Sequence, residues 1–159
     1  MTRLLIVSTS YCYNVYMKIK LFINTKDKTP DIPLKSIEKI MNSSLKISTE
    51  KYINLIISPQ AEIIRLNKQI FGRECSTDVI SVYSPINDNF IGDVYICPDV
   101  IRENASKYNE RYNIEIIRII IHGILHLLGF DHDKPFGKEK SKLFKLQEQL
   151  LNKVLKFEK

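Results

Sequence analysis

The chain has 159 residues, 44% of them hydrophobic and 26% charged, which is enough for one compact core and too little for two ordinary domains. Five Gly and six Pro exclude collagen-like and linker-like chains, and no apolar run approaches the roughly 20 residues of a membrane-spanning helix. The net charge of +6 is uneven: residues 1–60 carry nine Lys/Arg against four Asp/Glu, residues 61–137 eight against eleven, and residues 138–159 seven against three. Basic flanks around an acidic middle permit a phosphate-backbone partner through counterion release, although a solvated lysine-rich surface has the same signature.

Residues 1–16 match no regular element and their apolar stretch is too short for a secretory signal. We read them as an N-terminal extension, with Met17 as an alternative start and residues 17–159 as a single domain. Cys12, Cys75 and Cys97 are odd in number and form no CxxC pair, so a disulfide framework is not expected and a reducing cytoplasm is. Lys18–Asn24 alternates Ile19, Leu21 and Ile23 with polar neighbours, the pattern of a half-buried strand. Leu34, Ile37, Ile40, Met41 and Leu45 fall at helical spacing, with Asp31 and Pro33 as start signals. Tyr52–Ile57 has the length of a strand, and Ser58-Pro59 offers an N-cap and first-turn proline to a helix carrying Ile63, Leu66 and Ile70.

Asp78–Tyr83 and Phe90–Cys97 are rich in strand formers, with turn chemistry between them at residues 84–89. Pro98-Asp99 starts a helix that runs to about Tyr108. Asn113–Leu128 is apolar on almost every side, so this helix is expected to be central and buried. Lys138–Lys156 closes the chain as an amphipathic helix, with Leu143, Leu146, Leu150 and Val154 inward. The order β-α-β-α-β-β-α-α-α predicts an α+β fold: a single domain with a mixed sheet of about four strands packed with about five helices.

The three histidines all lie in His122-Gly-Ile-Leu-His126-Leu-Leu-Gly129-Phe-Asp131-His132. His122 and His126 stand four apart on the buried helix, an advance of about 6 Å and a turn of about 400° that puts both rings on one side. Gly129 can take the left-handed conformation that ends the helix, so that the chain doubles back and His132 reaches the same point. Three imidazoles at about 2.0–2.1 Å hold a zinc ion and leave a fourth position for water, which would then be the reacting group. Without a metal, several polar rings would be buried on an apolar helix with few partners. A structural site instead closes its fourth position with protein, and Cys75 and Cys97 are the available thiols. A hydrolase is the economical reading. The residue after His122 is Gly123, where HExxH peptidases carry their general-base Glu, and this weakens a peptidase assignment. Asp131 could orient a ligand imidazole or serve the turn, while Asp78 is read as a loop cap.

These residues resemble the signature of the YbeY family of bacterial endoribonucleases and rRNA maturation factors. Leu66-Asn67, Thr77-Asp78-Val-Ile-Ser81 and Gly92-Asp93-Val-Tyr-Ile96 resemble further family segments in the same order, so the likeness spans Met17 to Leu155. The resemblance implies a zinc-dependent, single-strand-specific endoribonuclease acting in small-subunit rRNA 3′-end maturation and ribosome quality control. It implies His122, His126 and His132 as the zinc ligands, one Zn²⁺ per chain, and rRNA of the small ribosomal subunit as partner, with no membrane or DNA role. The family usually has an arginine where Phe71 stands, and Arg73 is the substitute within reach. Phe71 and Phe90 are candidate surfaces for splayed bases, although core packing suits Phe90 better. The alternatives are a metzincin-like metallopeptidase and a non-catalytic, zinc-stabilised assembly factor.

Overall fold

The computed structural model describes residues 17–26, 29–47, 49–84, 87–130 and 142–159. The elements are β1 (Met17–Ile23), α1 (Leu34–Leu45), β2 (Lys51–Ile57), α2 (Gln60–Phe71), β3 (Val79–Tyr83), β4 (Phe90–Ile96), α3 (Pro98–Lys107), α4 (Tyr112–Leu127) and α5 (Lys142–Phe157). This is the expected α+β order. The four strands form one mixed sheet in the order β1-β2-β4-β3, with β1, β2 and β4 parallel and β3 antiparallel to β4. The two parallel pairings are bridged by α1 and by the α2–β3 segment, as parallel strands need crossovers, whereas β3 and β4 join through a short turn. In that turn Asn87 Oδ1 accepts the backbone N–H groups of Asn89 and Phe90 at 3.0 and 2.8 Å.

Helix α4 crosses one face of the sheet. Side chains alternate along a strand, so Val79 and Ser81 of β3 and Val94 of β4 point at α4, while Ile80, Val82 and Tyr95 point the other way. The α4 side holds the main core: Met17, Ile53, Leu55, Val94 and Ile96 from the sheet meet Ile116, Ile120, Ile121 and Ile124 of α4 and Leu143, Leu150 and Val154 of α5. The opposite face carries a smaller cluster in which Ile63 and Leu66 of α2 cover Ile80, Val82, Tyr95 and Cys97. No helix among the described residues is long and apolar enough to cross a membrane.

Three local expectations need correction. Strand β1 is half-buried only at its start: Ile19 is 8% exposed, but Leu21 and Ile23 are 38% and 52% exposed. It is an edge strand, and its second half runs past the helices that cover Met17 and Ile19. Ser58 does not cap α2: its hydroxyl is buried with no hydrogen-bond partner among the described residues, its N–H continues the sheet by bonding to the Ile96 carbonyl at 3.0 Å, and Pro59 takes the capping position. Asp31 likewise makes no cap: α1 starts directly after Pro33 with no side chain bonded to its first turn. The start of the final helix, residues 138–141, lies outside the described residues.

Candidate active site

Helix α4 delivers the site. His122 and His126 project from the flank of the helix into a cleft walled by β3, with His122 also meeting α5; both are half-buried, and their Nε2 atoms are 3.0 Å apart. The helix is held at that angle by a close approach: a Cβ on Gly123 would sit 2.6 Å from Val94 Cγ1 and 3.0 Å from Val79 Cγ2. Only a residue without a side chain lets the backbone reach the sheet there, and the Ser81 hydroxyl then donates to the Gly123 carbonyl at 2.9 Å. The glycine where a peptidase would carry a base therefore faces the sheet and not the histidines.

The C-terminus of α4 behaves as its sequence predicts. Gly129 has φ +87°, its N–H bonds to the His126 carbonyl at 3.0 Å, and the Phe130 N–H bonds to the Leu125 carbonyl at 3.0 Å. This is the paired closure of a Schellman motif, which turns the chain back toward the helix. His132 and Asp131 lie outside the described residues.

The protonation of His122 follows from its neighbours. Its Nδ1 lies 2.7 Å from Gln147 Oε1, while Gln147 Nε2 donates to Glu148 Oε1 at 3.1 Å. A carboxylate only accepts, so the Gln147 amide nitrogen must face Glu148 and its oxygen must face the ring. The His122 Nδ1 therefore carries a proton, and in the neutral ring Nε2 presents a lone pair toward His126. Glu148 is itself fixed by Arg118 Nε at 2.9 Å, and Arg118 also pairs with Glu110 at 3.1 Å and with Glu115. Burial works against the Arg118 charge, but Glu148, Glu110 and Glu115 outweigh it and hold its pKa above the ordinary guanidinium value. Gln147 is 4% exposed. The sequence reading passed over it, yet a signal was present: it falls four residues after Leu143 and three before Leu150, a polar side chain in an otherwise apolar stripe.

The histidines open into a cleft of about 540 Å³ whose walls include Phe71, Asp78, Ser81, Tyr83, Leu127 and Phe130. Asp78 does not cap a loop with its carboxylate, which accepts instead from the side chains of Thr77 at 3.3 Å and Asn104 at 3.4 Å; its backbone carbonyl holds the Cys97 N–H at 2.9 Å. Asp93 bonds to Asn54 on the neighbouring strand at 2.8 Å and points away from α4. Asn67 ties the loop after α2 by donating to the Cys75 carbonyl at 2.8 Å. Phe71, not Arg73, forms the wall of the histidine cleft; Arg73 lines the neighbouring groove. Phe90 is a core residue, 8% exposed and 5.0 Å from the Tyr52 ring.

The donor set suits zinc. Two imidazole nitrogens bound at 2.0–2.1 Å to one tetrahedral ion stand roughly 3.3 Å apart, within a few tenths of an ångström of the separation seen here. Among the described residues no third His, Cys, Asp or Glu joins this pair. Cys97 is buried in the cluster beneath α2, where burial pushes its thiol above the ordinary range, and Cys75 sits beside Asn67. Among the described residues, neither thiol closes the site.

Residues 22–155 match the endoribonuclease YbeY family model. The chain belongs to this family. The endoribonuclease YbeY of Thermotoga maritima is 31% identical over 135 residues, covering 85% of this chain and 81% of the relative. The protein of the same name in Mycoplasmoides gallisepticum is 34% identical over 127 residues, covering 77% of each. The solution structure of a Thermotoga maritima protein aligns with a TM-score of 0.60 at 28% identity, over 87% of this chain and 90% of that one. The YbeY resemblance and the α+β architecture read from the sequence are thus both met, and membership makes the chain one of a family of hydrolases that cleave RNA internally.

Proposed function

We propose that this chain is a zinc-dependent, single-strand-specific endoribonuclease that acts in small-subunit rRNA 3′-end maturation and ribosome quality control. Family membership supports the cleavage of RNA. The observation that carries the metal is the pair of Nε2 atoms 3.0 Å apart at the cleft, with the proton of one ring held on the far side by Gln147. His122 and His126, with His132 by its place in the motif, would hold one zinc ion. When bound, zinc supplies Lewis acidity toward a phosphoryl oxygen and toward water.

The chain's own residues do the rest. Gln147 fixes the His122 tautomer and ring plane, and Arg118 fixes Gln147 through Glu148. Such an outer partner raises ligand basicity and keeps the His122 ring aimed at the point it shares with His126. The basic flanks of the sequence supply a sequence-blind attraction for the RNA backbone. The peptidase alternative lacks its base, since Gly123 is packed on Val94 and Val79.

The test is to incubate precursor small-subunit rRNA with zinc-loaded wild type and with the His122→Ala/His126→Ala variant, then map the ends. Wild type is expected to produce discrete new 3′ ends and the variant none. Equal cleavage by both would overturn the proposal. A cyclic phosphate on the product would assign the attack to the ribose 2′-hydroxyl, and its absence to water.

A further inference from the structure

Three clefts meet along strand β3. The histidine cleft shares Phe71, Thr77, Val79 and Ile80 with a groove of about 250 Å³ that contains Arg73. On its other side it shares Tyr83 and Leu127 with a groove of about 530 Å³ that contains Lys51. An aromatic ring therefore stands at each divide, with the histidines between the rings and a cation beyond each. Phe71 is 53% exposed and Tyr83 67% exposed, and neither ring stacks on another ring among the described residues. Strand β3 is an edge of the sheet, so no strand covers this path among the described residues.

Exposed aromatic faces with a cation at each outer end are poor core chemistry and good single-strand chemistry. Bases offer flat apolar faces of any sequence, and phosphates between them seek Arg and Lys. The Asp78 carboxylate lines the middle of the path, engaged by Thr77 and Asn104 but still charged, so the phosphates belong at the two cationic ends and not beside it. Lys51 gives one of its donors to the Asp88 carbonyl and retains two.

We infer that β3 carries a single-stranded RNA track running from Arg73 past Phe71, across the histidine cleft and past Tyr83 to Lys51, with one base stacked on each ring and one phosphate held at each end. This rests on the RNA-cleaving function proposed above and adds the residues that present the strand to it. It assigns two kinds of work. The rings supply affinity that salt does not weaken, and the cations supply affinity that salt does weaken.

The experiment is fluorescence anisotropy of a labelled single-stranded oligouridylate titrated with the full chain across a salt series, with probe integrity checked on a gel. Phe71→Leu and Tyr83→Leu keep apolar bulk and remove the flat ring, so each should weaken binding roughly tenfold while leaving the log–log salt slope unchanged. Arg73→Ala and Lys51→Ala should each reduce that slope by about 0.7. Binding by both leucine variants within twofold of wild type would overturn the track, as would a salt slope untouched by both cation variants. Either failure, alongside rRNA cleavage by wild type, would sink the track and leave the nuclease assignment standing.

Discussion

The two long sides of α4 are fixed in different ways. Toward the sheet, Ile116, Ile120, Gly123 and Leu127 pack without a charged group, and close packing sets the distance beside a single hydrogen bond from Ser81 to the Gly123 carbonyl. Toward α5, Arg118 and His122 meet Glu148 and Gln147 through a chain of hydrogen bonds. The first side sets where the helix lies; the second sets how one imidazole is turned. Close packing tolerates no added volume but is indifferent to which ring nitrogen bears a proton, whereas the polar side specifies the proton and can be altered without moving the backbone. Position and protonation can therefore be perturbed separately in this protein.

The sharpest break is on the packed side. Gly123→Glu would force a carboxylate into the space of Val94 and Val79, and should cost about 3 kcal/mol or more in urea unfolding. A variant as stable as wild type would mean that α4 does not sit on the sheet as described. Removing the cation from the polar side comes next. Arg118→Met leaves Glu110, Glu115 and Glu148 clustered without their shared partner. Because the site is partly exposed, a loss of about 2 kcal/mol is expected, measurable by the same unfolding titration.

Gln147→Leu keeps the volume and removes the acceptor from His122 Nδ1. Zinc affinity, read by competition with a chromogenic chelator, should fall roughly tenfold or more while stability changes little. Unchanged affinity would show that Gln147 does not steer the ring. The smallest effect belongs to the surface pair of Glu62 and Arg65 on α2. The hydrogen bond from Arg65 holds the Glu62 carboxyl below its ordinary value of 4.5. A depressed pKa stabilises the fold above the ordinary value and loses that contribution as pH falls through the lowered one. Glu62→Gln should therefore shift stability by less than about 0.5 kcal/mol at neutral pH, and by nothing in strong acid.

The order of elements and the central α4 were legible because isoleucine and leucine recur at helical or alternating spacing over long runs. The end of α4 was legible because Gly129 is one of few residues that take φ +87° without cost. What the sequence hid were contacts between distant segments. Gln147 lies 25 residues from His122, and nothing local says that its amide meets a ring. Leu21 and Ile23 alternate like buried residues, but their exposure depends on how far the covering helices reach. Ser58 has the chemistry of a cap, yet α2 begins one residue too late for it, with Pro59 at the capping position. The replacement of the expected arginine by Phe71 was visible as a departure, and only its place on the cleft wall gives it a use.

The proposed zinc dependence rests on the two facing imidazole nitrogens taking a metal between them. The direct measurement is X-ray absorption at the zinc edge on the full chain, paired with the zinc content of His122→Ala/His126→Ala. The account predicts one zinc per chain in wild type, with a shell of nitrogen and oxygen at about 2.0–2.1 Å, no sulfur, and loss of the metal in the variant. A sulfur shell near 2.3 Å, or a variant that keeps its zinc, would contradict it.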